Sequence, residues 1–142
     1  MANPSDDDLR EIYANTKTIA VVGASNDESK DAHTVPRYLQ SQGFRVVPVN
    51  PRGGEILGER AYASLKDVDV PVGVVGVFRP SEETPGIARD AVSIGAKVLW
   101  LQLGIESEEA ATIARDGGVT IVMDTCMRAT HRRLGLSVES DT

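Results

Sequence analysis

The sequence predicts an α/β fold, a doubly wound five-stranded parallel sheet in a single domain. Short, near-continuous apolar runs rich in Val, Ile and Leu alternate along the chain with helix-period patterns. Runs of that kind fit strands buried on both faces, as in parallel sheets covered by helices. The chain has 142 residues, 41% of them hydrophobic, enough for one core, and no repeat, low-complexity tract or Pro/Ser-rich linker divides it.

Ser5, with Asp8 three residues on, reads as a capping box, and Leu9, Ile12 and Tyr13 share a face, predicting a helix over 5–15. Residues 18–24 (TIAVVGA) read as the first buried strand. Val35, Tyr38 and Leu39 then share a face, Pro36 suits a first helical turn and Gly43 a stop, giving the first crossover helix. Residues 45–50 (RVVPVN) form the second strand, in which Pro48 removes one ladder donor. An irregular connection over 51–65 leads to the third strand, 72–78 (VGVVGVF). Ser81 is placed to cap the next helix, whose Ile87, Ala88, Ala91 and Val92 face the core and which stops at Gly95. The fourth strand is 97–103 (KVLWLQL). Ser107 caps a helix with Glu108 and Glu109 in its first turn, where the dipole favours acids, and Gly117 and Gly118 end it. Residues 120–124 (TIVMD) make the fifth strand, and a short helix follows. The core spans about 5–136, with fraying expected at 1–4 and 137–142.

Right-handed crossovers place helices on both faces of such a sheet, the Rossmann-like arrangement. Ligands of these folds lie beyond the carboxyl ends of the strands, near the reversal of strand order. The loops after Ala24, Val49, Phe78 and Leu103 are therefore where chemistry is expected.

Acidic residues number 21 against 15 basic ones, a net charge of −6, which argues against nucleic acid or an anionic membrane as partner. No apolar run approaches the roughly 20 residues of a membrane span, and the acidic start MANPSDDDLRE is unlike a signal peptide. The lone Cys126 can form no intramolecular disulfide. These features together point to a cytoplasmic protein whose anionic ligand, if any, meets a local cluster of cations. A homo-oligomer or a protein partner remains open.

The first-strand loop, GASNDESKDAHT over 23–34, combines a glycine that permits close backbone approach with small neighbours, hydrogen-bonding Ser25 and Asn26, and a following helix N-terminus. It suits a pyrophosphate; it also suits a plain tight turn. It is not a dinucleotide fingerprint, because Ser25 and Glu28 stand where G-x-G-x-x-G needs glycines. Asn50 occupies the place of the ribose-binding acid, which disfavours NAD; NADP is weakened less, since Arg52 follows. The second loop brings Val49, Asn50, Pro51 and Arg52 to the same edge, and the third brings Phe78, Arg79 and Pro80. Phe78 can pack on an adenine or a pantetheine arm, and Lys30, Arg52 and Arg79 can pair with phosphates. His33 can donate to phosphate or ribose. Cys126, Asp124 and His131 make an unconvincing nucleophile, acid and base, and a small buried Cys with a surface His is the simpler reading. Trp100 reads as core, with Gln102 to Gly104 ending the strand near the crevice.

With these loops in view, the chain closely resembles the small single-domain CoA-binding proteins related to the N-terminal domain of the succinyl-CoA synthetase α subunit. The likeness is carried by TIAVVGAS at 18–25, KDAHTVPRYL at 30–39, GFRVVPVNP at 43–51, VFRPSEETP at 77–85, GAKVLWLQLGI at 95–105 and the VMD-C run at 122–126. The resemblance implies binding of coenzyme A or an acyl-CoA across the carboxyl edge. Gly23, Ala24 and Ser25 would cradle the pyrophosphate with Lys30 adding charge, Val49 to Arg52 would border the nucleotide, and Phe78, Arg79 and Pro80 would flank its adenosine or pantetheine part. Gly76, Thr125 and Thr130 depart from the acid, Arg and Glu usual at those places. The synthetase's phosphorylated His belongs to a second domain not represented in this chain. The expected function is thus a non-catalytic CoA-binding sensor or accessory protein; the alternatives are an NADP-dependent enzyme and a partner-binding module with a degenerate nucleotide pocket.

Overall fold

The computed structural model describes residues 3–138. Five parallel strands form the main sheet: β1 (Thr18–Val22), β2 (Arg45–Val49), β5 (Val74–Val77), β6 (Val98–Leu101) and β7 (Thr120–Val122). The small antiparallel pair β3 (Glu55–Ile56) and β4 (Glu59–Arg60) interrupts the connection expected to be irregular. It turns through Leu57 and Gly58, both at positive φ, the backbone that a two-residue hairpin turn requires.

The main sheet has the order β2-β1-β5-β6-β7, so the chain moves outward from β1 to one edge, then returns to β5 and builds the other. The reversal falls between β1 and β5, which fixes where a crevice opens at the carboxyl edge. Helices α1 (Asp6–Asn15), α2 (Asp31–Ser41) and α5 (Met127–Arg133) cover one face through Leu9, Tyr13, Val35, Leu39 and Met127. Helices α3 (Thr84–Ser93) and α4 (Glu108–Asp116) cover the other through a stripe of alanines, among them Ala88, Ala91 and Ala110. Trp100 is fully buried in the first of these layers, as its strand position predicts.

Each expected element is present, with differences that have local causes. Ser5 caps α1 by accepting from Asp8 N at 3.2 Å. Pro48 sits on an edge strand with its nitrogen outward; Tyr62 N donates to Pro48 O and Asn50 N to Tyr62 O, so the missing donor costs no ladder bond to β1. The third strand is shorter than 72–78 and the fourth shorter than 97–103, because the chain leaves the ladder at both ends into turns. Ser81 does not cap α3: it opens a 3-10 turn, Ser81–Glu83, and α3 begins at Thr84 with Pro85 in its first turn. Of the residues expected to fray, Asn3, Ser137 and Val138 make hydrogen bonds. Asn3 bonds to both backbone groups of Met123, Ser137 to Tyr38, and Val138 N to Gln42. Residues 1, 2 and 139–142, also expected to fray, lie outside the described residues.

Helix α2 differs most. It starts at Asp31, which makes Pro36 its sixth residue rather than part of the first turn. A proline there removes the N–H that would bond the carbonyl four residues earlier, Ala32. That carbonyl instead accepts the N–H of Ser25 at 3.2 Å. The proline therefore ties the loop after β1 to the helix that follows it.

Candidate functional site

The carboxyl ends of β2, β1 and β5 are stitched together at the reversal point. Gly23 N donates to Val49 O and Phe78 N to Val22 O, both at 2.9 Å. Gly23 has φ +88°, and a Cβ there would lie 2.8 Å from Phe78 O and 2.9 Å from Arg79 Cδ. Only glycine fits both the backbone and the space.

Several polar residues expected to face a ligand are engaged within the chain. Ser25 is held at three atoms: its N–H by Ala32, its carbonyl by the Nδ1–H of His33 at 2.8 Å, and its Oγ by the N–H of Asp27 at 3.0 Å. His33 lies on α2, not in the loop, and is buried; one of its nitrogens is committed to the loop backbone. Asn50 Nδ2 donates to Ala24 O at 3.0 Å while its Oδ1 accepts from Arg52 N at 2.9 Å. Asn26 Nδ2 donates to Glu55 O, joining the loop to the β3–β4 hairpin. Asp27 accepts from both the hydroxyl and the N–H of Ser29, and those bonds, with Lys30 and His33 nearby, hold its carboxyl below the usual range.

What this scaffold leaves unspent is chemically specific. No side chain caps α2, whose N-cap is Lys30, so its first N–H groups and its dipole face the loop. Lys30 and Arg52 are exposed and form no ion pair among the described residues. Arg79 is exposed and paired with Glu83, which raises its pKa. Phe78 is half-buried and packed against the α2 layer; Pro80, two residues on, is exposed, as is Pro51 after Asn50. Val49 is buried and contributes through its carbonyl. Backbone donors, cations and an apolar ring thus share one edge.

Farther along this edge, Leu103 is 70% exposed and Gln102 only 3%. Gln102 Oε1 accepts from Met127 N at the start of α5, and its Nε2 has no hydrogen-bond partner among the described residues. A Cβ on Gly76 would come within 3.3 Å of that Nε2, so the missing side chain there is what lets the carboxamide lie over β5.

The sulfur, acid and imidazole of the C-terminal segment do not converge. His131 is buried, not on the surface, because Tyr13, Tyr38 and Phe44 from α1, α2 and the start of β2 enclose it. Its Nδ1 shares a 2.7 Å hydrogen bond with Tyr38, and burial lowers its pKa. Cys126 is half-buried rather than buried; its Sγ accepts from Ala129 N at the start of α5. Asp124 turns to Gly104 N at 2.6 Å. The links of Glu83 to Arg79 and of Gln102 to α5 were not anticipated from sequence; the first has the i,i+4 spacing of a charge pair and could have been found, whereas no local spacing marks the second.

Fold and edge are those of a Rossmann-like α/β domain whose polar loops gather at the carboxyl ends of the strands, and comparison with known proteins gives the family. Residues 17–132 match the family described as CoA binding domain, and the chain belongs to that family. It is 40% identical over 131 residues to YneT of Bacillus subtilis, covering 92% of this chain and 97% of that protein. It is 30% identical over 130 residues to the α subunit of an ADP-forming acetate–CoA ligase II of Pyrococcus furiosus, covering 84% of this chain but only 28% of the subunit. Among solved structures, cell-free ID.343 from Thermus thermophilus superposes with TM-score 0.88 at 42% identity, over 92% of this chain and 99% of that one.

Proposed function

We propose that this chain binds coenzyme A or an acyl-CoA across the ends of β1, β2 and β5, and acts by recognition alone, as a sensor or accessory protein. The observation that carries the reading is the start of α2, which no side chain caps, set beside the bare backbone of Gly23 and the cations Lys30 and Arg52, which have no ion pair among the described residues. A pyrophosphate supplies what that arrangement lacks: oxygens to accept from the N–H groups and negative charge to meet the cations.

In this reading Ser25, His33 and Asn50 hold the loop in shape rather than contact the ligand with their backbone-bonded atoms. Asn26 and Ala24 complete the loop wall. Val49, Asn50 and Pro51 border the nucleotide, while Phe78 and Pro80 give its adenosine or pantetheine part an apolar surface. The chain matches 28% of the longer ligase subunit, and its own family match is the CoA binding domain, which supports the CoA part of the reading.

Calorimetric titration with CoA, acetyl-CoA and NADPH at low and high salt tests this. Saturable CoA binding that weakens with salt is expected. NADPH binding more tightly than either CoA species, or no binding by any of the three, would overturn it.

A further inference from the structure

Arg79 does not stand free at the crevice. Its Nε donates to Glu83 Oε1 at 3.2 Å and its Nη2 to Glu83 Oε2 at 2.7 Å, a fork along one edge of the guanidinium. A guanidinium carries five N–H groups in a plane. The fork uses two of them and leaves the adjoining edge, Nη1 with the second Nη2 hydrogen, without a protein partner among the described residues. The stem of Arg79 lies against Gly23, where a Cβ would come within 2.9 Å of its Cδ. Glu83 closes the 3-10 turn by donating its N–H to Pro80 O, and the same turn is tied to the loop before α4 by Glu106 N donating to Ser81 Oγ at 3.2 Å. The carboxylate is therefore carried on a built element.

We propose that Glu83 is a positioning residue for anion binding: it holds one edge of Arg79 so that the free edge meets the pyrophosphate of a ligand lying beside Gly23. This rests on the CoA reading above. The pyrophosphate is named, rather than the 3′-phosphate of the ribose, because the stem of Arg79 crosses the glycine at the loop that suits a pyrophosphate.

The inference has a distinctive sign. An acid beside an anion site opposes the anion by charge, so removing it should tighten binding if charge were its whole effect. A residue that orders the guanidinium beforehand spares the ligand that ordering, so removing it weakens binding. Calorimetry on the wild type, Glu83→Ala, Glu83→Gln, Arg79→Ala and the double variant Arg79→Ala/Glu83→Ala separates the two, with melting curves to confirm folding.

Glu83→Ala is expected to weaken CoA by about 3- to 10-fold, and Glu83→Gln, which keeps one acceptor, by less. The double variant should bind as Arg79→Ala does, and 3′-dephospho-CoA should show the same ratio between wild type and Glu83→Ala. Unchanged or tighter CoA binding by Glu83→Ala overturns the proposal, as does a Glu83 effect that persists without Arg79 or vanishes with 3′-dephospho-CoA. If the wild type binds no CoA, the CoA reading itself fails and this inference with it; if it binds and only the Glu83 effect is missing, the CoA reading stands.

Discussion

The two ends of the main sheet carry different kinds of surface. At the amino edge, α1 and the starts of β6 and β7 line a hollow of about 900 Å³, with acids Asp8 and Glu11 and bases Lys97 and Arg115 on its walls. Its helix is already capped by Ser5. At the carboxyl edge the loops after β1, β2 and β5 are bonded to one another, yet a helix start without a side-chain cap remains, with cations that have no ion pair among the described residues. A hollow of that size points to the first end. Unspent donors and charge point to the second, and donors are what a polyanionic ligand needs.

The largest expected effect that would break this contrast is at Gly23. Gly23→Ala places a Cβ 2.8 Å from a backbone carbonyl at φ +88°, so a loss of more than about 2 kcal/mol in chemical denaturation is expected, together with loss of CoA binding. A stable, binding-competent Gly23→Ala would show that the close approach of β1 to Phe78 is dispensable.

Next come the cations, which sharpen the contrast. Lys30→Ala and Arg79→Ala should each weaken CoA by about 1–3 kcal/mol if they make charge-assisted phosphate bonds. Arg115→Ala at the amino edge should leave calorimetric affinity unchanged. Equal losses at the two edges would mean that long-range charge, not a site, governs binding.

The smallest effect concerns pH and lies outside both edges. Burial lowers the pKa of His131 from its ordinary 6.5, so the unfolded chain binds the proton more readily than the folded one. The stability held by neutral His131 is complete above about pH 6.5 and is lost as pH falls toward the depressed folded value. Melting temperatures should therefore drop on acidification, and less so in His131→Gln. An identical drop in both would show that other groups set the acid limb.

Alternating apolar runs and helical faces made the architecture legible, down to the stops at Gly43 and Gly95 and the caps at Ser5 and Ser107, because those signals are local. The place where strand order reverses, and so the carboxyl edge proposed as the site, was legible too, since it follows from parallel topology. The use of individual residues was not. Asn50 reaches Ala24 and Asn26 reaches Glu55 across 26 and 29 residues, and spacing along the chain does not encode such pairs. His131 was read as a surface residue, yet rings from α1 and α2, 118 and 93 positions away in sequence, bury it. The displaced start of α2 has a simpler lesson: Pro36 was read as a helix opener when its missing N–H serves the neighbouring loop.

The most direct test is amide hydrogen exchange of the wild type with and without CoA. The account predicts added protection in the loops after β1, β2 and β5 and in the first turn of α2, with none in α1 or at the start of β7. Protection centred on the amino-edge hollow, with the α2 turn unchanged, would contradict it.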